Sequence, residues 1–374
     1  MFVYLDYASL VPPVREALDA MHAAAESGWG HPKALHGIGA RAQYVLEQAR
    51  QQVADYAGAM PQEIVFVGSG REALACGFGL ALELAPAAMP IVSSRLEHPS
   101  VLALVERAAR AGRVVHWLGL PEGVPNEEDA AALREPSLVV LAMCNHELGT
   151  MLDVTAVSPQ SIRVIDAVQA APWVSLDTLN DERTFYALSG SKLGAPMGIG
   201  AVRVPSHVHY AAVNRRSVLE SDGPPWITAI GLGAACAARA PRREPALARA
   251  RLVAERLLRG LRDIEPRLLV NGAEGARLGP IANVSFPDLS GKSLVESLGL
   301  ERICISHTAA CRARHSDASP VVRAAYANFP ARADGATRWS VSEHVTDDDV
   351  GRALEVTGRV LRNRRTARGH ETPR

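Results

Sequence analysis

The amino-acid sequence predicts an α/β protein with a mostly parallel, seven-stranded sheet flanked by helices, followed by a smaller α+β domain. Short runs rich in β-branched residues alternate with helical patterns through the first two-thirds of the chain. These runs are apolar throughout rather than alternating, which is typical of strands that are buried on both faces. The chain has 374 residues, 48% of them hydrophobic, which is enough for one large and one smaller domain.

The strands of the large sheet are predicted in chain order at residues 63–67, 90–93, 113–117, 137–143, 162–165, 184–188 and 199–204. A long helix follows at 244–261, where leucines recur near helical spacing with arginines between them. We interpret this helix as the bridge to the second domain. The large domain, with the N-terminal segment, is therefore placed at residues 1–243.

The small C-terminal α+β domain is placed at residues 244–362. Its strands are predicted at 268–270, 281–286 and 338–341, and its helices at 293–298, around 319–326 and after Thr346. Thr346 is predicted to cap the last helix because three aspartates follow it, in the first turn where acidic side chains are favourable. From residue 359 the sequence is basic without an apolar period, so we expect it to fray, with 363–374 as a basic tail.

The charge balance favours a small-molecule partner. The chain has 40 basic and 40 acidic residues, so no net charge attracts it to nucleic acid or to an anionic membrane. Its apolar runs are too short to span a bilayer, and the N-terminus has no basic region or cleavage site of a signal peptide. The sequence therefore predicts a cytoplasmic protein.

The five cysteines form no CxxC pair and have no regular spacing, which argues against a disulfide framework or a bound metal. Cys311 differs from the others because it lies in a small-residue, polar stretch, where Arg312 and Arg314 favour its thiolate. The other four lie in predicted strands or apolar helices, at positions 76, 144, 236 and 304. Cys311 is the cysteine that we predict to be reactive.

A glycine-rich turn, GSGR at 68–71, follows the first predicted strand of the sheet and precedes an apolar helix. Such a turn can present backbone N–H groups and the positive end of a helix dipole to a phosphate, with Arg71 adding a charged contact. The turn has neither the third glycine of a dinucleotide-binding motif nor the Lys-Ser/Thr pair of a P-loop. A phosphate site at Gly70 and a simple tight turn both stay open.

Two polar residues, Asp166 and Gln169, follow a hydrophobic strand at its carboxyl end, which is the ligand-binding edge of open α/β sheets. A buried carboxylate at this edge needs a cationic partner, whereas an exposed one could cap the next helix. Lys192, in SGSK at 189–192, is one of only three lysines and is flanked by small residues that admit a bulky ligand. A lysine after a strand is otherwise usually a solvated surface charge.

Taken together, these residues resemble the cysteine desulfurases of the NifS/IscS kind, which are pyridoxal-phosphate enzymes of fold type I in the class V aminotransferase family. The likeness runs from Tyr4 to about Arg362. The family's motifs follow in its own order: YLDY at 4–7, EH at 97–98, NHELG at 145–149, DAVQ at 166–169, SGSK at 189–192, AC at 310–311 and RWS at 338–340. The length of the cysteine loop resembles that of the NifS/IscS branch.

The resemblance implies a role for each residue around the cofactor. Lys192 bonds covalently to pyridoxal phosphate, and Asp166 pairs with the ring nitrogen. His98 stacks on the ring and assists proton transfer, while Gln169 hydrogen-bonds the phenolic oxygen. Ser189 holds the phosphate together with the turn at Gly70 and Arg71.

The resemblance also implies the reaction. Cys311 takes the sulfur of L-cysteine as a persulfide and alanine is released, while Arg338 binds the substrate carboxylate bidentately. The sulfur then passes to an acceptor protein, and the enzyme is a homodimer with active sites at the subunit interface.

The sequence departs from the family pattern around this site. Arg71 stands where the family has threonine, His146 where it has asparagine, and Ser191 where it has the histidine before the lysine. Gly223 replaces a threonine that contacts the neighbouring subunit's phosphate, and His31 replaces an asparagine of the substrate segment. We expect His146 and Ser191 to line the cofactor, His31 to line the substrate, and Arg71 to compensate for the lost phosphate contacts.

Two other hypotheses stay open. One is a pyridoxal-phosphate C–S or C–Se lyase that acts on a related amino acid and does not need Cys311. The other is a degenerate, non-catalytic member of the family that serves as a scaffold. Because Lys192, Asp166, Gln169, His98 and Arg338 occur together, the scaffold is the less favoured of the two.

Overall fold

The computed structural model describes residues 2–27, 29–211, 226–309 and 317–369. Its strands are β1 (Val3–Tyr4), β2 (Ile64–Val67), β3 (Ile91–Ser94), β4 (Val115–Leu118), β5 (Leu138–Ala142), β6 (Ile162–Asp166), β7 (Thr184–Ser189), β8 (Gly200–Arg203), β9 (Leu269–Asn271), β10 (Ile281–Ser285), β11 (Ile303–Cys304) and β12 (Ala336–Ser340). Its helices are α1 (Arg15–Ser27), α2 (Gly37–Ala57), α3 (Gly70–Leu84), α4 (Pro99–Arg110), α5 (Glu127–Arg134), α6 (Gly190–Leu193), α7 (Ser206–Ala211), α8 (Trp226–Arg239), α9 (Arg243–Ile264), α10 (Gly291–Leu300), α11 (Pro320–Ala325) and α12 (Asp347–Gly369).

The predicted seven-stranded sheet is confirmed, in the order β2-β8-β7-β6-β5-β3-β4. Every neighbouring pair from β7 to β4 is parallel, and only β8 runs against the other strands. Every residue of β3 and β5 is buried, because helices cover both faces of the sheet. The continuous apolar runs in the sequence correspond to this two-sided burial.

Strands that run in the same direction end at the same edge of the sheet, and this edge places the polar residues side by side. Ala142 at the end of β5 lies opposite Asp166 at the end of β6, and Asp166 lies opposite Ala187 in β7. The turn after β2 and the segment after β3 reach the same edge. In sheets of this class that edge binds ligands.

The small domain contains a three-stranded antiparallel sheet in the order β12-β10-β9. The predicted bridge helix is present as α9, and the predicted cap of the last helix is confirmed. Thr346 Oγ1 accepts the N–H of Asp349 at 3.1 Å, and the Asp349 carboxylate accepts the N–H of Thr346 at 3.0 Å. The boundary at 243/244 itself stays a prediction.

The N-terminal segment, which the sequence analysis groups with the large domain, pairs with the small domain. Strand β1 pairs in parallel with β11 of the small domain, rather than with the large sheet. Two further hydrogen bonds continue this contact, from Ser340 N to Leu5 O at 2.8 Å and from Ala8 N to Ser340 Oγ at 2.9 Å. A two-residue strand is too short for the sequence to indicate which strand it pairs with, so the pairing of β1 is known only from the structure.

The expected fraying from residue 359 is wrong for the described part of this segment, because α12 continues to Gly369. Arg359 pairs with Glu301 at 2.8 Å. Arg364 donates to Ser293 O at 2.7 Å and to Ser297 Oγ at 2.6 Å. Arginine contacts with α10 therefore extend the helix where no apolar period predicts it. Residues 370–374 lie outside the described residues.

Across the four described ranges, no helix has the length and apolarity that crossing a membrane requires.

Candidate active site

Asp166 is the last residue of β6 and is buried at the carboxyl edge of the sheet. Burial raises the pKa of Asp166 to about 6, against the opposing effects of the Val168 N–H, which donates to its carboxylate at 3.0 Å, and of the positive charge of Lys192. The carboxylate thus lacks full compensation for its desolvation. A further cation placed beside it would be strongly stabilised.

A second buried carboxyl group, Glu97, lies close to Asp166. Its Oε2 accepts the N–H of Ala142, the neighbour of Asp166 across β5 and β6, at 2.9 Å. Burial, and then the charge of Asp166, raise the pKa of Glu97 well above its usual value. Burial therefore favours the protonated form of Glu97, so the negative charge of the pair lies preferentially on Asp166.

Lys192 lies on α6, a single helical turn that begins directly after β7. Its Nζ donates to the backbone carbonyl oxygen of Ser9 in the N-terminal segment. On the same turn, the hydroxyl oxygens of Ser189 and Ser191 are 3.0 Å apart. The strand-to-helix turn therefore presents an amine and two hydroxyl groups close to Asp166.

The glycine-rich turn after β2 meets these serines. Gly70 begins α3, and a Cβ at this position would lie only 2.9 Å from Ser189 Cβ. Ser69 caps the helix by accepting the Glu72 N–H at 3.2 Å. Because the first N–H groups of a helix have no intrahelical partners, the turn and the serine hydroxyls together form a group of donors.

Arg71 lies beside this group of donors and is exposed. It makes no hydrogen bond or ion pair with any other residue that the structure describes. Its guanidinium therefore remains available to an anion at the turn.

His98 and His146 lie against each other, with ring centroids 5.3 Å apart and ring planes at 72°. His98 precedes α4, and its Nδ1 accepts the N–H of Ser100 at 3.2 Å. Because Nδ1 accepts this hydrogen bond, the proton of the neutral ring is on Nε2. The helix cap therefore fixes both the orientation and the tautomer of His98.

Arg338 lies on β12 and is almost fully buried. Its Nη1 donates to the carbonyl oxygen of His146 at 2.8 Å, and its Nη2 donates to Asp6 Oδ1 at 3.0 Å and to Ser9 Oγ at 2.6 Å. Its Nε is buried and has no hydrogen-bond partner within the described residues. Arg338 is thus a paired cation with an unsatisfied donor.

The N-terminal segment joins residues that are far apart in the sequence. Ala8 O accepts the side-chain N–H of Gln169 at 2.8 Å, while Ser9 contacts both Lys192 and Arg338. Sequence reasoning missed Asp6 and Ser9 as site residues. One signal could have identified Asp6: a buried arginine needs a carboxylate partner, and Asp6 is the aspartate of the matched YLDY motif.

Glu147 is a further residue that the sequence analysis did not predict as part of the site. Its buried carboxylate accepts the Thr308 hydroxyl at 2.8 Å, the Ala309 N–H at 3.0 Å and the Ser319 hydroxyl at 2.5 Å. Glu147 therefore links the large domain to two separate segments of the small domain. It follows His146 directly, so this link also supports the carbonyl that Arg338 binds.

Glu147→Ala is expected to lower the free energy of unfolding by about 3–5 kcal/mol, because three buried donors lose their acceptor. Glu147→Gln keeps one carbonyl oxygen and should have a smaller effect. Chemical unfolding of both variants measures the difference. If the alanine variant were as stable as the wild type, these bonds would not hold the two domains together.

One predicted site residue, His31, is not brought into this group. His31 is exposed in the turn before α2, where its Nδ1 accepts the Lys33 N–H at 3.1 Å. Cys311, with Arg312 and Arg314, lies outside the described residues, as does Gly223.

The four described cysteines are free thiols, and they are poor nucleophiles because burial raises the thiol pKa of each one. The pKa values reach about 11 for Cys76 and about 12 for Cys144 and Cys236. None of these thiols is substantially ionised at neutral pH.

These groups fit pyridoxal phosphate. They comprise an amine for its aldehyde, a buried carboxylate whose desolvation is only partly compensated, and hydroxyl and backbone donors for its phosphate. A mostly parallel sheet with this donor set at its carboxyl edge defines a pyridoxal-phosphate enzyme of fold type I.

The chain belongs to the class V aminotransferase family, whose model matches residues 3–352. A cysteine desulfurase of Gluconacetobacter diazotrophicus is 31% identical to it, with 95% of this chain and 92% of that protein covered. An IscS-like cysteine desulfurase of Mycobacterium tuberculosis is 30% identical, covering 97% of this chain and 98% of that protein. A solved structure of a NifS-like protein superposes with a TM-score of 0.85 at 22% identity, covering 97% of this chain and all of that one, and supports the fold.

In the cofactor-free protein, Asp166→Asn is expected to raise the free energy of unfolding at pH 8 by about 3 kcal/mol. The carboxyl pKa rises from 3.8 to about 6 on folding, and each pH unit corresponds to about 1.4 kcal/mol. Because the folded pKa is raised, the penalty is complete above pH 6, and it declines as the pH falls until it vanishes below about 4. Urea unfolding of both proteins from pH 8 to pH 4 measures this.

Asp129 provides a matched control, because its buried carboxylate accepts N–H groups from Gly119 and Leu120 at 2.8 and 2.9 Å. Asp129→Asn should therefore destabilise the protein. An Asp166→Asn variant that is less stable than the wild type at pH 8 would contradict the raised pKa.

Proposed function

We propose that this protein is a pyridoxal-phosphate-dependent cysteine desulfurase, which converts L-cysteine to L-alanine and passes the sulfur to an acceptor protein. The observation that carries the proposal is that Lys192 and Asp166 lie at the carboxyl edge of the large sheet, and that Ser9 joins Lys192 to Arg338 of the small domain. This arrangement provides for a cofactor and an amino-acid carboxylate together. The cysteine desulfurases matched over nearly the whole chain support this choice of reaction.

Each cofactor residue has a role that its surroundings support. Lys192 bonds covalently to the cofactor, and Asp166, whose pKa is raised by burial, holds a proton on the ring nitrogen. His98 and His146 would line the ring, and His98, whose Nδ1 accepts the Ser100 N–H, would move a proton through Nε2. Gln169 donates one amide N–H to Ala8 O at 2.8 Å, and its other amide N–H would donate to the ring oxygen.

The phosphate is bound by Ser189 and Ser191, the N-terminus of α3 at Gly70, and the guanidinium of Arg71. When bound, pyridoxal phosphate supplies an electron sink that weakens the bonds at Cα and Cβ of the substrate. The cofactor-binding residues therefore need only hold it in place and keep its ring nitrogen protonated.

Cys311 is the proposed sulfur carrier. Its thiolate attacks the substrate sulfur, the C–S bond breaks, and the carbon takes up a proton to give alanine. The sulfur remains on Cys311 as a persulfide, so no external oxidant is needed. The raised pKa values of the four described cysteines leave them unsuited to this role.

We further propose a homodimer located in the cytoplasm. The face formed by α1, the segment before α2, and α2 itself exposes several large apolar side chains, namely Leu18, Trp29, Leu35, Ile38 and Tyr44. Exposed apolar side chains that cluster on one surface are typical of protein–protein contacts. His31 lies in the same segment, so pairing through this face places it near a partner's site. Sedimentation of the cofactor-loaded protein should give twice the mass of one chain.

The direct test is to incubate the cofactor-loaded protein with L-cysteine and dithiothreitol and to measure alanine and sulfide. The proposed function predicts the two products in equal amounts. Pyruvate and ammonia in place of alanine would indicate a lyase. Selenocysteine and cystine, tested in parallel, show whether the altered residues at His31 and His146 select a related substrate.

Arg71→Thr is expected to raise the Kd of pyridoxal phosphate about tenfold while leaving the absorption spectrum of the bound cofactor unchanged. A charged hydrogen bond contributes about 1.5–3 kcal/mol. Because Arg71 is exposed, we expect its contribution at the lower end of this range, which corresponds to about a tenfold change in Kd. Arg110→Thr, in the last turn of α4, is the matched exposed control. Equal cofactor affinity in both variants would assign Arg71 to the solvated surface.

A further inference from the structure

Ser9 lies between the two cations of the site and contacts both through different atoms. Its backbone carbonyl accepts Lys192 Nζ, whereas its side-chain hydroxyl accepts Arg338 Nη2 at 2.6 Å. The same hydroxyl donates to Asp6 Oδ1 at 2.9 Å. A substitution that removes only the hydroxyl therefore leaves the contact with the lysine intact.

The Nη2 of Arg338, which already has hydrogen-bond partners, is the nitrogen that a substrate carboxylate needs for bidentate binding. A guanidinium binds a carboxylate bidentately through two adjacent nitrogens, either Nη1 with Nη2 or Nε with Nη2. Both pairs include Nη2, which already contacts Asp6 and Ser9. The adjacent Nε is buried and has no acceptor among the described residues.

We propose that the hydroxyl of Ser9 occupies the place of one oxygen of the substrate carboxylate and is displaced when the substrate binds. The incoming carboxylate gives one oxygen to Nε, which satisfies its N–H, and the other to Nη2 in place of Ser9 Oγ. Ser9 thereby sets how tightly the site binds amino-acid carboxylates. This inference rests on the proposed function, since it takes the substrate to be an amino acid.

The hydroxyl is displaced rather than Asp6 for electrostatic reasons. Asp6 and Arg338 form an ion pair in which the arginine is almost fully buried and the aspartate is partly buried, and separating them would leave a buried guanidinium without its counter-charge. A hydroxyl is neutral, and Ser9 can keep its bond to Asp6 after losing the one to Arg338. Asp6 stays in place and limits the net positive charge that the substrate meets.

The test compares wild type, Ser9→Ala and Ser9→Thr as cofactor-loaded proteins, with L-alanine and L-alaninamide as probes in calorimetric titrations. Removing the hydroxyl leaves the N–H of Nη2 that it accepted without a partner, so Ser9→Ala should bind L-alanine about fivefold more tightly than wild type. Ser9→Thr keeps a hydroxyl and should bind like wild type. Alaninamide has no carboxylate, so its affinity should be the same in all three.

The KM for L-cysteine should fall with the Kd of alanine in Ser9→Ala, while kcat changes less. Unchanged or weaker binding of L-alanine by Ser9→Ala overturns the inference but not the proposed function, which the assay of alanine and sulfide tests separately. A wild-type protein that binds no amino acid and forms no alanine overturns the proposed function as well. Ser9→Gly removes the same hydroxyl and decides the question if Ser9→Ala does not load the cofactor.

Discussion

Lys192→Ala is expected to abolish covalent attachment of the cofactor and to reduce turnover at least about a thousandfold. The reaction needs an amine that both bonds to the cofactor and moves a proton at the substrate. The other two lysines cannot substitute for it, because Lys33 is exposed near α2 and Lys292 pairs with Asp317 at 2.8 Å in the small domain. Borohydride reduction followed by peptide mapping should label Lys192 in the wild type and no residue in the variant.

Lys292→Ala is the matched control, since it removes a lysine of the small domain. It should leave both the label and the turnover unchanged. A Lys192→Ala protein that still binds the cofactor covalently and turns over L-cysteine would refute the assignment of the site.

Cys311→Ser is expected to bind L-cysteine normally but to release no sulfide. A serine hydroxyl is too weak a nucleophile toward sulfur at neutral pH, so no persulfide forms. Wild-type protein incubated with L-cysteine should carry the extra sulfur on Cys311, which alkylation and peptide mapping detect. Its activity should rise with pH as the thiol ionises.

The matched control is Cys304→Ser, because Cys304 is the described cysteine in the small domain and its pKa is raised by burial. This variant should keep both persulfide and activity. Sulfide release by Cys311→Ser at the wild-type rate, with no trapped persulfide, would favour a C–S lyase that does not use Cys311.

The large sheet could be predicted from the sequence because its strands are buried on both faces. That environment requires continuous apolar runs, such as 138–142, which are short enough to exclude helices. The sequence did not predict that α12 continues beyond residue 359, because its last turns are held by polar contacts. Arg364, for example, donates to Ser293 O and Ser297 Oγ of α10. Contacts of this kind leave no periodic pattern.

The candidate site was predictable only in part. Asp166 and Lys192 follow strands directly, so their place at the sheet edge follows from the strand order. Asp6, Ser9 and Glu147 act through partners more than 150 residues away, as the Glu147 and Arg338 hydrogen bonds show. Such contacts depend on how the two domains pack against each other, and the local spacing of residues along the sequence does not determine that packing.

The pairing of β1 with β11 also sets an order for assembly during synthesis. Residues 3–4 leave the ribosome about 300 residues before their partners at 303–304. At roughly 5–20 residues per second, the first strand waits about 15–60 s for its neighbour. Asp6 and Ser9 reach Arg338 only after that delay, so the large sheet can form while the proposed carboxylate-binding corner is still missing. A nascent or truncated chain that ends before β12 therefore has the lysine of the active site but not its buried arginine.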